Sequence, residues 1–200
     1  MEYDFKCYVE KVTREIRKLE NFTLPPLKKW KIEWDKVDEF SKDKKWLFSP
    51  FNQLREAKKL PFVYYFTISP KDASHIYNAL INAKLVSSEA RIKSGVAHKD
   101  FRNISHVPKS FKKSDCLYVG SVKNDLYGRL IAHLGYGANR TGSMHLKFAL
   151  ENIYPKPMIT FNYYQLDSTY RNVTEHVESI LYDELKPLIG KRGLKSFSEE

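Results

Sequence analysis

The segment Leu117-Tyr118-Val119-Gly120-Ser121, running on into Arg129-Leu130-Ile131-Ala132-His133, restricts the fold more than any other part of the chain. An apolar, β-branched run closes on a glycine, and the polar pair Asn124-Asp125 follows. Apolar residues then recur at helical spacing through Leu126, Leu130 and Leu134 up to Gly135. This is the order of a strand, a helix N-cap, a helix and a left-handed C-cap. A lone strand is unstable, and two other runs are fit to pair with it. Residues 61–68 (Pro-Phe-Val-Tyr-Tyr-Phe-Thr-Ile) are β-branched and aromatic throughout. In 158–166, Ile159, Phe161 and Tyr163 alternate with Thr160, Asn162 and Tyr164, so the two sets face opposite sides of a sheet.

Helical signals separate these runs. Near the start, Phe5, Val9, Val12, Ile16 and Leu19 recur at steps of three and four, which predicts an amphipathic helix over 3–19. Pro25-Pro26 ends it. Residues 28–60 mix Trp30, Trp34, Trp46 and Phe48 with lysines, and one helix is expected over 35–41. Basic residues among aromatics suit either a nucleic-acid surface or aromatic anchors with solvated lysines. Ser69-Pro70-Lys71-Asp72 starts a helix that carries Ile76, Leu80 and Ile81 and ends near Lys84. Residues 86–114 are polar, contain His98, His106, Lys109, Lys112 and Lys113, and read as a long loop or hairpin. A further helix is expected from Thr141-Gly142-Ser143 through Leu150, broken by Pro155 and Pro157. The last is expected over 172–185, with Val173, Val177, Ile180, Leu181 and Leu185 as its buried stripe. The expected class is α+β: a three-stranded antiparallel sheet flanked by helices over 61–200, preceded by a helical extension at 1–60.

The 200 residues carry a formal charge of +10, which favours polyanionic partners, nucleic acid ahead of anionic membrane. A hydrophobic content of 42% fits a globular chain. Cys7 and Cys116 are too few and too far apart for a disulfide framework or a zinc site. No signal-peptide pattern opens the chain and no apolar run reaches a membrane span, so a reducing cytoplasm is expected. Glycine-rich phosphate loops, serine-hydrolase motifs and HExxH are missing, which disfavours those enzyme classes.

Arg129 and His133 are spaced to lie over one another on a helix, and Tyr118 stands on the strand just before it. A guanidinium grips phosphate, an imidazole moves protons and a phenol positions water. Each also has a structural alternative, as a solvated flank for the helix pair and as core aromatics for Tyr64 and Tyr118. Asn139-Arg140, Ser143 and His145 lie where backbone N–H groups can meet a phosphate or simply cap a helix.

With these motifs in view, the chain resembles the GIY-YIG nuclease family. Val63-Tyr64 matches the first tyrosine motif, Tyr118-Val119-Gly120 the second, Arg129 and His133 the helix pair, and Glu178 the late glutamate. The resemblance covers residues 61–192. It departs from the pattern in three places: Phe62 replaces the first glycine, about 69–114 form a long insertion between the tyrosine strands, and Gly190 stands where asparagine is frequent. It implies a Mg²⁺-dependent DNA endonuclease, with Mn²⁺ able to substitute, and the long insertion resembles that of site-specific restriction-type members. Its catalytic set would be Tyr64, Tyr118, Arg129, His133 and Glu178, with Glu178 as metal ligand and Glu175 and Glu184 as competitors on the same helix. Either tyrosine could take the proton of the attacking water, Tyr64 if neighbouring cations lower its pKa, and His133 would pass the proton to solvent. Double-stranded DNA is the implied partner, with Lys109, Lys112, Lys113, Lys123 and Arg140 as candidate contacts, and a homodimer suits cleavage of both strands. The alternative is a nucleic-acid-binding module of the same fold without catalysis.

Overall fold

The computed structural model describes residues 5–35, 37, 54, 57, 59–95, 99 and 101–193. Three strands lie where the sequence pattern places them: β2 (Phe62–Ile68), β3 (Cys116–Val122) and β4 (Ile159–Gln165). The sheet has four strands rather than three, because β1 (Lys28–Lys31), from the stretch read as an extension, adds to the free edge of β4. All pairings are antiparallel, in the order β1-β4-β2-β3. The residues Lys-Lys-Trp-Lys carry almost no strand signal, and an edge position is where lysines are tolerated. Ile32 N–H to Ile159 O at 2.9 Å and Trp34 Nε1–H to Pro157 O at 2.7 Å fasten the edge.

Helices cover both faces. On one lie α2 (Ala73–Ser94), α3 (Leu126–Leu134) and the short α4 (Leu146–Ala149), packed over Phe62, Tyr64, Phe66, Leu117, Tyr118 and Phe161. On the other, α5 (Thr174–Leu185) covers Val63, Cys116 and Val119 with Val177 and Leu181. A bulge between Phe66 and Thr67 shifts the β2–β3 register, so that Phe66 pairs with Tyr118 and Thr67 with Cys116. Leu117 and Tyr118 therefore both enter the larger core, while Cys116 enters the smaller one. Trp30 and Trp34 pack against the larger core as anchors. Trp46, Phe48 and most of the helix expected over 35–41 lie outside the described residues.

Several expectations are corrected. α2 does not end near Lys84 but runs on to Ser94, so the first third of the supposed loop is helix. Its inner face continues through Ala83, Ser87 and Ala90, small residues that leave no hydrophobic signature. The Ser87 hydroxyl then organises the return of the chain, donating to Arg102 O at 2.5 Å and accepting from Arg102 N–H at 2.8 Å. The helix expected from 141 shrinks to Leu146–Ala149, because residues 103–105 and 143 bond to one another in extended form. α1 (Phe5–Arg17) forms as expected but buries none of its residues; only Leu19 and Phe22 beyond it pack on the smaller core. Ile180, expected in the buried stripe of α5, points outward, since its neighbours Val177 and Leu181 already face the sheet.

That correction is testable. Leu181, 7% exposed, should cost about 2–5 kcal/mol when changed to alanine, whereas Ile180→Ala, at 52% exposure, should stay within about 0.5 kcal/mol; urea unfolding of the two variants checks the difference.

Candidate active site

Tyr64 comes from β2 and stands directly opposite Gly120 of β3 in the antiparallel register. Its ring is fully buried and lies across the glycine. A Cβ at position 120 would meet the Tyr64 hydroxyl oxygen at 2.6 Å and the Tyr118 ring at 2.7 Å, well inside contact distance. A glycine here is thus the condition for placing two phenols side by side. Their rings stack at 26° with centroids 6.3 Å apart.

α3 supplies the next two groups. Asp125 caps its start by accepting from Gly128 N–H at 3.1 Å, and Gly135 closes its end in the left-handed conformation. The capped helix buries Leu126, Leu130 and Leu134 and turns Arg129 and His133 toward Tyr64. The Tyr64 oxygen lies 3.0 Å from His133 Nε2 and accepts from Arg129 Nε at 3.1 Å. On the far side of the imidazole, Met144 N–H donates to Nδ1 at 3.2 Å. Nδ1 is therefore the bare nitrogen of the neutral ring, and Nε2 carries the proton that points at Tyr64. Arg129 also donates to Gly142 O at 2.7 Å and Tyr118 Oη at 3.4 Å, leaving two of its five N–H groups for a ligand.

Glu178 reaches the same place from the opposite face, on α5. Its Oε2 accepts from the Ser121 hydroxyl at 2.5 Å, the Ser121 backbone N–H also pulls on the carboxylate, and among the described residues no side chain bonds to Oε1. Residue 193 borders this carboxylate, and Gly190, at φ +105°, lies against the Tyr118 ring. Tyr64, Tyr118, Arg129, His133 and Glu178, drawn from five positions in the sequence, thus converge, and charge on Glu178 is felt at both phenols. Tyr65 points to the other face, beside Tyr164.

Burial dominates the electrostatics. It pushes the Tyr64 phenol well above 10.0, with Tyr118 adding to the rise and Arg129 opposing it. Tyr118 is raised for the same first reason, offset by Arg129 and by a hydrogen bond from Tyr64. The expectation that nearby cations lower the pKa of Tyr64 is therefore reversed. His133 is held well below 6.5 by burial, then by Arg129 and His145. It is fully enclosed, so the expected proton path from this ring to solvent has no opening. Burial raises Glu178, against the pull of Ser121, and Glu175 raises it further.

The remaining candidates divide. Lys123 sits at the edge of the cluster, paired with Glu175 at 3.1 Å. Glu184 is exposed. Lys109, Lys112 and Lys113 are exposed at the entry to β3, the end away from Gly120 and Ser121. Arg140 is exposed on the loop whose Gly142 carbonyl holds Arg129. Ser143 and His145 are fully buried, and Ser143 donates inward to Ala132 O at 2.9 Å, so neither forms a phosphate cradle. Sequence reasoning missed Ser121, although a hydroxyl directly after the glycine, at the mouth of the strand, was available as a signal.

Among the described residues no group of three or more His, Cys, Asp or Glu could hold a metal ion. One open carboxylate oxygen still fits Mg²⁺, which keeps several waters and takes one or two carboxylates plus substrate phosphates. No helix among those residues is long and apolar enough to cross a membrane. No family model, no curated protein and no solved structure matches the chain.

The buried imidazole has a measurable consequence. A histidine whose folded pKa lies below its unfolded value contributes stability that is full above about pH 6.5 and lost as pH falls toward the folded pKa. Unfolding free energy should drop by up to about 1.4 kcal/mol per pH unit below 6.5 on account of this ring. His133→Gln should remove that share of the slope in urea titrations between pH 5.5 and 7.5, while the contributions of His145 and Glu178 remain in both proteins.

Proposed function

We propose that the chain is a metal-dependent phosphodiesterase acting on DNA, an endonuclease of the GIY-YIG kind. One observation carries this reading. Two phenols, a guanidinium with N–H groups to spare among the described residues and a carboxylate with one oxygen outside its bond to Ser121 meet at one point, although four separate stretches must converge to bring them there. A purely structural network would not need an open carboxylate beside an unsaturated arginine.

In this reading Arg129 binds two oxygens of the scissile phosphate through its remaining N–H groups, and its bonds to Tyr64, Tyr118 and Gly142 hold the fork in position. A Mg²⁺ or Mn²⁺ ion on Glu178 would stabilise negative charge on the phosphate and leaving oxygen. Ser121 fixes the carboxylate so that Oε1 faces the ligand. His133 donates to Tyr64, and Arg129 donates to the hydroxyls of both stacked phenols. Tyr118 is the less enclosed phenol, at 9% exposure against 0% for Tyr64. The attacking water therefore meets Tyr118, and Tyr64 sets its orientation and protonation. Each chain holds one such cluster, so breaking both strands of a duplex calls for two chains, arranged about a two-fold axis.

The test is incubation of supercoiled plasmid with and without Mg²⁺. Wild type should nick or linearise it only with metal, and Glu178→Ala should give no product. Arg129→Lys should cut at least about 100-fold more slowly, because a point charge cannot replace the fork, while duplex binding stays within a few-fold. Duplex binding with no cleavage in any divalent metal would assign the chain to the non-catalytic alternative.

The raised phenols predict the pH profile. With both held protonated at neutral pH, the fraction of ionised Tyr118, and with it the cleavage rate, should climb up to about tenfold per unit from pH 7 to 9. A flat profile at saturating DNA and metal would remove the phenol from the role of base.

A further inference from the structure

A second constellation lies away from these residues, where α2 faces the segment after α4. A cleft of about 780 Å³ runs between them, and a second of about 440 Å³ adjoins it. The two share Phe148, Glu151 and Tyr154 as a common wall. Both volumes fall in the range of small-molecule sites.

Their chemistry differs sharply. The smaller cleft is lined by Arg102, Lys147 and Lys156, opposed among the described residues by Glu151, which leaves two net positive charges there. Each cation is held in place with donors to spare. Lys156 donates to Leu150 O at 2.6 Å and Glu151 O at 3.0 Å. Arg102 commits only Nη1, to Lys99 O at 2.6 Å and Phe101 O at 2.7 Å. Lys147 rests over the Tyr136 ring at 4.9 Å. Lys156 and Arg102 also lie over the two wall aromatics, Tyr154 at 5.0 Å and Phe148 at 5.1 Å. Among the described residues the larger cleft carries no lysine or arginine. Asn78 and Asn82, one turn apart on α2, line it. Between the clefts stands Tyr154, whose ring is 81% exposed.

We propose that the two clefts form one binding site for a phosphorylated nucleoside. The phosphate sits among Arg102, Lys147 and Lys156, whose charge, offset by Glu151, is +2 and matches the roughly −1.5 to −2 of a terminal phosphate. The base stacks on the wall of Tyr154 and Phe148 and turns its edge to Asn78 and Asn82, whose amides offer a donor and an acceptor each. Two sources supply this chemistry: a free nucleotide, or an unpaired nucleotide at an end or gap of a nucleic-acid strand. A base inside an intact duplex offers no free face to stack on. The site shares no residue with the cluster around Tyr64 and does not depend on the catalytic reading.

The test uses the full chain in EDTA, so that binding is read without cleavage. The probes are adenosine monophosphate, a 5′-phosphorylated single-stranded oligonucleotide and a blunt unphosphorylated duplex. Tyr154→Ala and Lys156→Ala are each expected to weaken the site's ligand by about tenfold or more, and to leave duplex affinity within twofold of wild type. Glu151→Gln, which removes the opposing charge, should strengthen the same ligand several-fold. Tyr154-dependent binding of the mononucleotide identifies a free nucleotide as the ligand, and such binding of the oligonucleotide alone identifies a strand. The proposal falls if neither probe binds, or if wild type and both weakening variants bind them equally. Tyr154 is exposed, so matching thermal melts suffice to exclude a folding defect. A chain that fails to cut plasmid yet shows this binding would sink the catalytic reading and leave this one standing.

Discussion

Everything in the centre of this molecule depends on the hydroxyl of Tyr64 being buried against the backbone of Gly120. A polar atom taken out of water must recover its hydrogen bonds, and here it does so from Arg129 and His133. Those two side chains in turn bond to Gly142 O and Met144 N–H. One phenol therefore ties the central strand β2, the edge strand β3, the helix after them and the 136–145 connection into a single polar network. This explains why the helix expected from 141 is cut short. Residues 142–144 are needed in extended form, where a carbonyl and an N–H can face the helix of Arg129 and His133.

The same burial sets the electrostatic character of the cluster. Desolvation outweighs the field of Arg129 at both phenols and neutralises His133. Hydrogen-bond direction, rather than a charged imidazole, organises the protons. Glu178 enters from the other side of the sheet and is oriented by one short bond from Ser121. The arrangement holds no surplus of negative charge around a preformed metal cage. It suits an ion that arrives with its own water and meets the phosphate, which is the habit of Mg²⁺.

The distribution of positive charge bears on the formal +10. Lysines 109, 112 and 113, conspicuous in sequence, lie at the end of β3 away from the cluster, and Lys123 is paired with Glu175. The cations gathered into a shaped recess are instead Arg102, Lys147 and Lys156, which look unremarkable in sequence and meet only because the segment returning from α2, α4 and the segment after it are folded together. Charge runs in a sequence thus locate solvent more readily than ligands, since like charges concentrated in one stretch repel and spread outward.

Three of the strands, α3 to the residue and the body of α5 were legible in the sequence, because alternation, helical spacing and cap residues are local signals that tertiary packing did not override. The stacking of Tyr64 beside Tyr118 rests on Gly120, which in the sequence reads as the close of the strand and which the register places opposite Tyr64. Tertiary structure alone decided the rest. β1 exists because the edge of β4 was free. The far half of α2 is helical because small residues suffice to pack it, and small residues leave no periodic signal. The bulge at Leu117 decided which strand residues share a face with α3. Burial, which no local pattern encodes, decided that the phenols rise and the imidazole stays neutral. It is a property of what surrounds a group, and in this chain those surroundings come from segments more than a hundred residues apart, Val63 to Leu181 among them.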